Sequence, residues 1–220
     1  MGMSASKAVS ASRLDGKTVI ITGCNTGIGK VTAQTLYGIG AKVIMACRDV
    51  EKAETTASEI RKHFEVATSE DKKPGEVLIK KLDLASFKSI RDCAQDINQT
   101  EANVHILINN AGECYYTQVY CILSNNILFY SILFYAIPGK NVNVYAVHPG
   151  IVKTELGRYM DDTYFPGART LGRVLMWWWM KTPEQGAQTT LHCALDEGAA
   201  KETGLYYSDC KVAKSRNFPF

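Results

Sequence analysis

The sequence predicts an α/β protein built around a doubly wound parallel sheet, and three observations carry this prediction. Short apolar runs alternate with helical stretches along most of the chain. A glycine-rich turn joins the first run to the first helical stretch, and the alternation has the spacing of right-handed βαβ units. The 220 residues are 46% hydrophobic, which suits one compact domain.

Each element has its own local signal. The predicted strands are short apolar runs, often rich in β-branched residues: 17–22, 41–46, 77–82, 104–109, 141–147 and 204–207. The predicted helices lie between or after them: 28–37, 50–64, 86–97 and 183–195. Thr182, Pro183 and Gln185 have the pattern of a capping box with proline at the first helical position. The apolar run 127–135 lacks clear alternation, so it fits a buried helix, which we favour, or a strand.

Composition excludes several classes of protein. The net charge is +3, with 25 basic and 22 acidic residues scattered along the chain, so no basic stripe marks a nucleic-acid-binding surface. Seven cysteines form no CxxC pair, which argues against a disulfide framework or a metal site and predicts a reducing compartment. Residues 120–137 are apolar but interrupted by polar side chains, so we predict no transmembrane helix. A small molecule is therefore the expected partner.

The N-terminus carries one targeting pattern. Gly2 follows the initiator methionine and Ser6 stands four residues later, as in N-myristoylation sites. The alternative is an unmodified, disordered leader over residues 1–13, ahead of a single domain over 14–220. One acyl chain gives only weak, reversible membrane binding, so we predict a location in the cytoplasm or at the cytosolic face of a membrane. The sequence leaves the oligomeric state open.

The turn after the first strand predicts a phosphate-binding site. Its glycines let the backbone approach a pyrophosphate, and the following helix presents N–H groups and the positive end of its dipole. The candidate cofactor-binding residues here are Gly23, Asn25, Thr26, Gly27, Ile28 and Gly29. A dinucleotide is the expected ligand, although methyltransferases that bind an adenosyl ligand also place a glycine-rich turn after their first strand.

Two residues after the second predicted strand indicate whether the cofactor is NADP(H) or NAD(H). Arg48 there suits the 2′-phosphate of NADP(H), whereas an acidic side chain suits the 2′-hydroxyl of NAD(H). The neighbouring Asp49 leaves NAD(H) open as an alternative. The sequence thus favours NADP(H).

Five motifs in order resemble the short-chain dehydrogenase/reductase family. They are TGCNTGIG at 22–29, ACRD at 46–49, LDL at 82–84, NNAG at 109–112 and HPG at 148–150. Their wording is similar to that of NADP-dependent retinol dehydrogenases, over residues 14–112 and 138–211. The resemblance implies a Rossmann-type fold and hydride transfer between NADP(H) and a retinoid or another lipophilic alcohol or aldehyde.

The resemblance also implies further cofactor contacts. Asp83 and Leu84 would flank the adenine. The remaining positions would line the central groove and the nicotinamide end: Asn110, Ala111, Gly112, Pro149, Gly150, Val152 and Thr154.

The catalytic part of the family pattern is missing. The family uses a tyrosine, a lysine four residues later and a serine on the preceding strand. Residues 113–140 leave room for one crossover where the family has two, so we predict a shortened sheet that lacks one central strand and one helix. Tyr120 is a weak catalytic candidate, since Ser124 stands at the lysine position. This chain is therefore either an active oxidoreductase or a catalytically impaired homologue that binds NADP.

A second match to the tyrosine–lysine spacing falls elsewhere in the chain. Tyr207 and Lys211 have this spacing but lie at the last predicted strand. On a continuous strand they would stand roughly 13 Å apart. We therefore do not assign them a catalytic role.

Overall fold

The computed structural model describes residues 13–65, 73–112, 142–154, 170 and 180–214. Its strands are β1 (Thr18–Thr22), β2 (Lys42–Cys47), β3 (Glu76–Lys81), β4 (Ile106–Ile108), β5 (Tyr145–His148), β6 (Leu205–Ser208) and β7 (Lys211–Val212). Its α-helices are α1 (Gly27–Gly38), α2 (Val50–Glu65), α3 (Phe87–Thr100) and α4 (Pro183–Leu195). A 3₁₀ helix covers Ala199–Lys201. The predicted α/β alternation is confirmed.

The first four strands form one parallel sheet in the order β3-β2-β1-β4. Val19 is level with Val43 on β2 and with Ile106 on β4, so β1 lies at the centre. This is the beginning of the 3-2-1-4-5-6 order of dinucleotide-binding sheets. Side chains of β1 and β2 are buried on both faces, which explains their unbroken apolar sequence.

Alternate residues of the central strands belong to two separate hydrophobic cores, one on each face of the sheet. Val19 and Ile21 pack with α1, α2 and α4 on one face of the sheet. Ile20 faces the opposite side, where Ile90 and Ile97 of α3 are fully buried. Helices therefore cover both faces, as a doubly wound sheet requires.

The remaining strands form a second, three-stranded sheet in the order β5-β6-β7. Within the described ranges, no strand pairs with the outer edge of β4, although the 3-2-1-4-5-6 order places a fifth strand there. Val144 and Ile151 beside β5 remain about half exposed, at 53% and 52%. The shortened sheet predicted from residues 113–140 concerns a part of the chain outside the described residues, so it stays a prediction.

Helix α4 connects the two sheets by packing on α1. Ala187 and Leu191 are fully buried against the first core. A Cβ added at Gly186 would lie 2.7 Å from Cγ2 of Val152 and 3.1 Å from Cγ1 of Ile28, so only glycine allows this close approach. The short distance brings the segment after β5 close to the start of α1.

The predicted capping box at α4 is confirmed. The Gln185 backbone N–H donates to Oγ1 of Thr182 over 3.3 Å, and the Thr182 backbone N–H donates to Oε1 of Gln185 over 2.9 Å. Pro183 occupies the first turn, where its missing N–H costs nothing.

The chain after β6 does not continue as a strand, and here the expectation for Tyr207 and Lys211 was wrong. Asp209 and Cys210 adopt left-handed backbone angles, with φ of 52° and 59°, and turn the chain into a hairpin. Lys211, in β7, consequently pairs with Ser208 of β6. Tyr207 and Lys211 are therefore not on one continuous strand, and the separation of ~13 Å does not apply. The Tyr207 hydroxyl lies 3.3 Å from a Glu202 carboxylate oxygen.

Several predictions fall outside the described residues. They concern Gly2, most of the leader at 1–13, the candidate Tyr120 and the apolar run 127–135. Across the described part of the chain, the structure has no helix that is long and apolar enough to span a bilayer.

Candidate cofactor site

The predicted cofactor residues converge because parallel strands end at the same edge of a sheet. The glycine-rich turn follows β1, Arg48 follows β2, Asp83 follows β3 and Asn110 follows β4. In open α/β sheets, ligands bind in the crevice at this edge. The first sheet therefore brings four of the five sequence motifs to one place.

The glycine-rich turn has the backbone shape that a phosphate site needs. Gly23 and Gly27 have φ of 61° and 58°, a left-handed conformation that favours glycine. Thr26, at the start of α1, makes no side-chain capping hydrogen bond, and the first turn of α1 has no acidic residue. This helix end thus offers its N–H groups and its dipole to an anion.

Asn110 fastens the exit of β4 to the exit of β1. Its side-chain amide donates to the carbonyl oxygens of Thr22 and Gly23, both over 3.0 Å. The backbone N–H groups of Asn110 and Ala111 donate to Oγ1 of Thr22 over 3.0 and 2.9 Å. These contacts hold the floor of the groove in one arrangement.

Asp49 is committed to the start of α2. Its Oδ1 accepts a hydrogen bond from the Lys52 backbone N–H over 2.9 Å, and its carbonyl accepts from Ala53 over 3.1 Å. The aspartate therefore serves as the N-terminal cap of this helix. Arg48, one residue earlier, is exposed, as is Asp49 itself.

Local hydrogen bonds of Asp83 fix the segment that follows β3. Oδ1 of Asp83 accepts from the Ala85 backbone N–H over 3.0 Å, and the Asp83 N–H donates to Oγ of Ser89 over 2.9 Å. Leu84 is buried in the core that contains α3. Asp83 is thus the more accessible of the two residues predicted to flank the adenine.

The segment after β5 reaches the glycine-rich turn. A Cβ added at Gly27 would lie 3.1 Å from Cγ2 of Thr154. Val152 forms an isolated parallel bridge with Lys181. The Lys181 backbone N–H donates to the Ile151 carbonyl, and the Lys153 backbone N–H donates to the Lys181 carbonyl. The predicted nicotinamide-side residues therefore approach the phosphate turn even though they follow a different sheet.

An ion pair between Lys181 and Asp209 lies beside this segment. The Lys181 ammonium bonds the Asp209 carboxylate and holds the pKa of that carboxyl below its ordinary value. A Cβ added at Gly150, where φ is 84°, would lie 2.9 Å from the same ammonium nitrogen. Gly150 therefore lies close to the ion pair that joins Lys181 to the hairpin of β6 and β7.

One predicted residue contributes less to this arrangement, and another lies outside the described residues. A Cβ added at Gly112 would meet nothing within 4 Å, so no close approach there requires glycine. Tyr120 lies outside the described residues, so its relation to the groove stays a prediction.

Sequence reasoning missed a buried thiol pair at this edge. The sulfur atoms of Cys24, in the glycine-rich turn, and Cys47, at the end of β2, lie 3.9 Å apart. Burial raises the pKa of the Cys24 thiol, whereas the hydrogen bond from Cys24 lowers the pKa of the Cys47 thiol. The signal available in the sequence was that each cysteine follows the last residues of an adjacent strand.

Comparisons with known proteins agree with this geometry. The family model for short chain dehydrogenase matches residues 17–123. Human retinol dehydrogenase 11 is 34% identical over 281 aligned positions, which cover 96% of this chain and 83% of that protein. Human retinol dehydrogenase 12 is 35% identical over 90% of this chain and 79% of that protein. The chain belongs to the short-chain dehydrogenase family.

Within that family the chain resembles the retinol dehydrogenases, and its class is oxidoreductase. The alignment of 281 positions to the human protein is longer than the 220 residues of this chain. The human protein therefore contains residues with no counterpart here, as the short interval 113–140 predicts.

Solved structures share the fold. A short-chain type dehydrogenase/reductase from Mycobacterium marinum superposes with a TM-score of 0.69 at 18% identity, over 92% of this chain and 96% of that one. L-sorbose reductase from Gluconobacter frateurii, complexed with NADPH and L-sorbose, gives a TM-score of 0.66 at 15% identity, over 89% and 95%.

The groove fits the nicotinamide cofactor that this family binds. The left-handed turn at Gly23 and Gly27 leaves backbone where side chains would otherwise project. The N-terminus of α1 is free of a side-chain cap and of acidic neighbours in its first turn, as an anionic pyrophosphate requires.

Proposed function

We propose that this chain binds NADP(H) and is an oxidoreductase of the retinol dehydrogenase type, directed at retinoids or other lipophilic alcohols and aldehydes. The observation that carries the cofactor part is the convergence of the glycine-rich turn, Asn110 and Thr154 around the uncapped end of α1. The substrate class follows from the resemblance to the retinol dehydrogenases.

The preference for NADP(H) over NAD(H) rests on how Arg48 and Asp49 differ. A carboxylate that selects the 2′-hydroxyl of NAD(H) must be able to accept from the ribose. Both residues are exposed after β2, and one oxygen of Asp49 already accepts a backbone N–H of α2. A guanidinium there attracts the additional phosphate of NADP(H).

Fluorescence titration with NADPH and NADH tests this preference. We expect NADPH to bind more tightly, and we expect Arg48→Glu to narrow or reverse the difference. Arg91→Glu is the matched control, because Arg91 is an exposed arginine on α3 and the charge change is the same. Equal affinities of the unmodified chain for both cofactors would remove the role given to Arg48.

A second candidate function is cofactor binding with impaired catalysis. The sequence favours it, since Ser124 stands where the family has its lysine and residues 113–140 leave room for one crossover instead of two. A nicotinamide cofactor would supply the hydride transfer, and the residues around the glycine-rich turn would hold it. Proton transfer to the substrate oxygen needs a further group, and Tyr120 has no lysine four residues after it.

Turnover of all-trans-retinal with NADPH separates the two candidates. Positioned proton transfer contributes about 10²- to 10⁴-fold to rates, so impairment predicts turnover at least about a hundredfold below that of human retinol dehydrogenase 11. Tyr120→Phe should then change little. Robust turnover that Tyr120→Phe abolishes would refute the impaired reading and show that another group replaces the lysine.

Weak membrane association is part of the same proposal. A lipophilic substrate partitions into bilayers, and a myristoyl chain on Gly2 would give marginal, reversible binding. We expect sedimentation with lipid vesicles after co-expression with an N-myristoyltransferase, and loss of sedimentation in Gly2→Ala. Equal sedimentation of both forms would exclude the acyl chain as the anchor.

A further inference from the structure

The thiols of Cys24 and Cys47 form a pair that the cofactor site does not explain. Their sulfur atoms are 3.9 Å apart, and both residues are almost completely buried. A disulfide bond needs about 2.05 Å between sulfurs, so the pair must close by about 2 Å to join. Cys47 ends β2, and Cys24 lies two residues after β1, whose last residue Thr22 is level with Ala46, so this movement is short and local.

The pair lies between two segments assigned above to the cofactor. Cys24 stands between Gly23 and Asn25 in the glycine-rich turn, and Cys47 directly precedes Arg48. The Gly23 N–H donates to the Ala46 carbonyl over 2.9 Å, which already links the two segments beside the sulfurs. Any covalent change at the sulfurs is therefore transmitted to both the turn and the arginine.

We propose that Cys24 and Cys47 are an oxidisable pair that hydrogen peroxide converts to a disulfide, and that this bond weakens binding of the dinucleotide. The second half of the proposal rests on the proposed function. The pair would make the cofactor site sensitive to peroxide even though the chain lacks a CxxC motif.

The two sulfurs have different environments, and this difference decides which of them reacts first with peroxide. The hydrogen bond from Cys24 and the backbone N–H groups of Cys24 and Asn25 lower the pKa of Cys47. The Cys24 sulfur also lies 3.2 Å from the Ile21 carbonyl oxygen, to which its single S–H donates when it does not donate to Cys47, and burial raises the pKa of Cys24. Since the thiolate is the nucleophile, Cys47 reacts first and Cys24 resolves.

The chemistry balances with peroxide as the only oxidant. The Cys47 thiolate attacks one peroxide oxygen, so an S–O bond forms, the O–O bond breaks and one water leaves after protonation. The Cys24 sulfur then attacks the sulfenic acid, so the S–S bond forms, the S–O bond breaks and a second water leaves. Two thiols are oxidised by two electrons, and one peroxide is reduced to two waters.

Closing the pair should distort the phosphate turn. The backbone at Gly23 already approaches β4 closely, since a Cβ added there would lie 2.8 Å from Cα of Ala111. A shift of Cys24 toward β2 therefore moves the turn relative to the fixed N-terminus of α1. Pyrophosphate binding depends on that geometry.

Peptide mapping tests the disulfide independently of cofactor binding. The chain is treated with hydrogen peroxide, alkylated under denaturing conditions and cut with trypsin without reduction. Cleavage after Lys17, Lys30, Lys42 and Arg48 gives peptides 18–30 and 43–48, and each contains one cysteine. We expect these two peptides to be linked, and to separate after treatment with dithiothreitol.

NADPH titration of the same samples tests the consequence. We expect oxidation to raise the dissociation constant at least tenfold and dithiothreitol to restore it. Cys24→Ala should lose both the linked peptide and the peroxide sensitivity. Cys93→Ala is the matched control, because Cys93 is another buried thiol, lies on α3 and should leave both effects intact.

The outcomes separate the two proposals. Absence of the linked peptide overturns the oxidisable pair, whatever the cofactor affinity. A linked peptide with unchanged NADPH affinity overturns its regulatory consequence. Failure of the fully reduced chain to bind NADPH overturns the proposed function, while the linked peptide still decides whether the pair is oxidised.

Discussion

Gly29 tests how tightly the glycine-rich turn is packed against its neighbours. A Cβ added at this position would lie 2.5 Å from Nδ2 of Asn110, 2.8 Å from Cα of Cys24 and 2.9 Å from the Gly23 carbonyl oxygen. Two of these three atoms belong to the backbone and cannot move independently. The third belongs to the side chain that donates to the Thr22 and Gly23 carbonyls.

Opposing effects decide the result of Gly29→Ala. Alanine gains about 1 kcal/mol in helix propensity over glycine in a helix interior, and less in the first turn. Overpacking costs typically about 1–3 kcal/mol, and each displaced hydrogen bond of Asn110 costs roughly another 1 kcal/mol. We therefore expect a net loss of about 1–3 kcal/mol in the free energy of unfolding, which lowers the melting temperature by roughly 2–4 °C per kcal/mol.

Urea unfolding followed by circular dichroism measures this difference. Gly112→Ala is the control, because a Cβ there meets nothing within 4 Å and its φ is not in the left-handed region. We expect the control to unfold at the same urea concentration as the unmodified chain. Equal or greater stability of Gly29→Ala would refute the close packing between α1 and the exit of β4.

Three further predictions concern other parts of the site. Gly27→Val should abolish NADPH binding in fluorescence titrations, because φ is 58° and the new side chain would press on Thr154. Thr182→Ala should cost about 1 kcal/mol in urea unfolding by removing the cap of α4. The low pKa of Asp209 beside Lys181 stabilises the fold above the unfolded carboxyl pKa of about 3.9, and this contribution is lost as the pH falls through the folded value. Asp209→Asn should therefore lower the melting temperature slightly at neutral pH and converge with the unmodified chain in acid.

Elements with a strong local signal were predictable from the sequence. The strands β1 to β3 and the helices α1 and α2 match their predicted ranges within one residue, because apolar runs and helical patterning specify them locally. Helix α3 ends at Thr100, three residues beyond its predicted end. The cap of α4 was also predictable, since Thr182 and Gln185 have the spacing of a capping box.

Features that depend on contacts between distant segments were less predictable. The hairpin of β6 and β7 turns at Asp209 and Cys210 without the glycine that usually signals such a turn. β5 begins at Tyr145 rather than residue 141, although its apolar alternation extends further. The thiol pair depends on the register between β1 and β2, which one sequence does not reveal.

The choice between cofactors shows the same limit at the site. In the sequence, Arg48 favours NADP(H) and Asp49 favours NAD(H), because either side chain could face the ribose. The structure gives Asp49 a separate task at the start of α2. A polar residue just before a predicted helix can thus be a cap rather than a ligand, and its hydrogen bonds distinguish the two.

The two sheets should differ in their resistance to local opening. Amides of β1 and β2 are hydrogen-bonded to strands inside the first sheet and buried on both faces, so their exchange with solvent should require global unfolding. β5 to β7 form a small sheet with exposed neighbours such as Val144, tied to the first core through α4. Separation of α4 and of the segment after β5 from α1 would release the smaller sheet while the first sheet stays folded, so its amides should exchange earlier than those of β1 and β2.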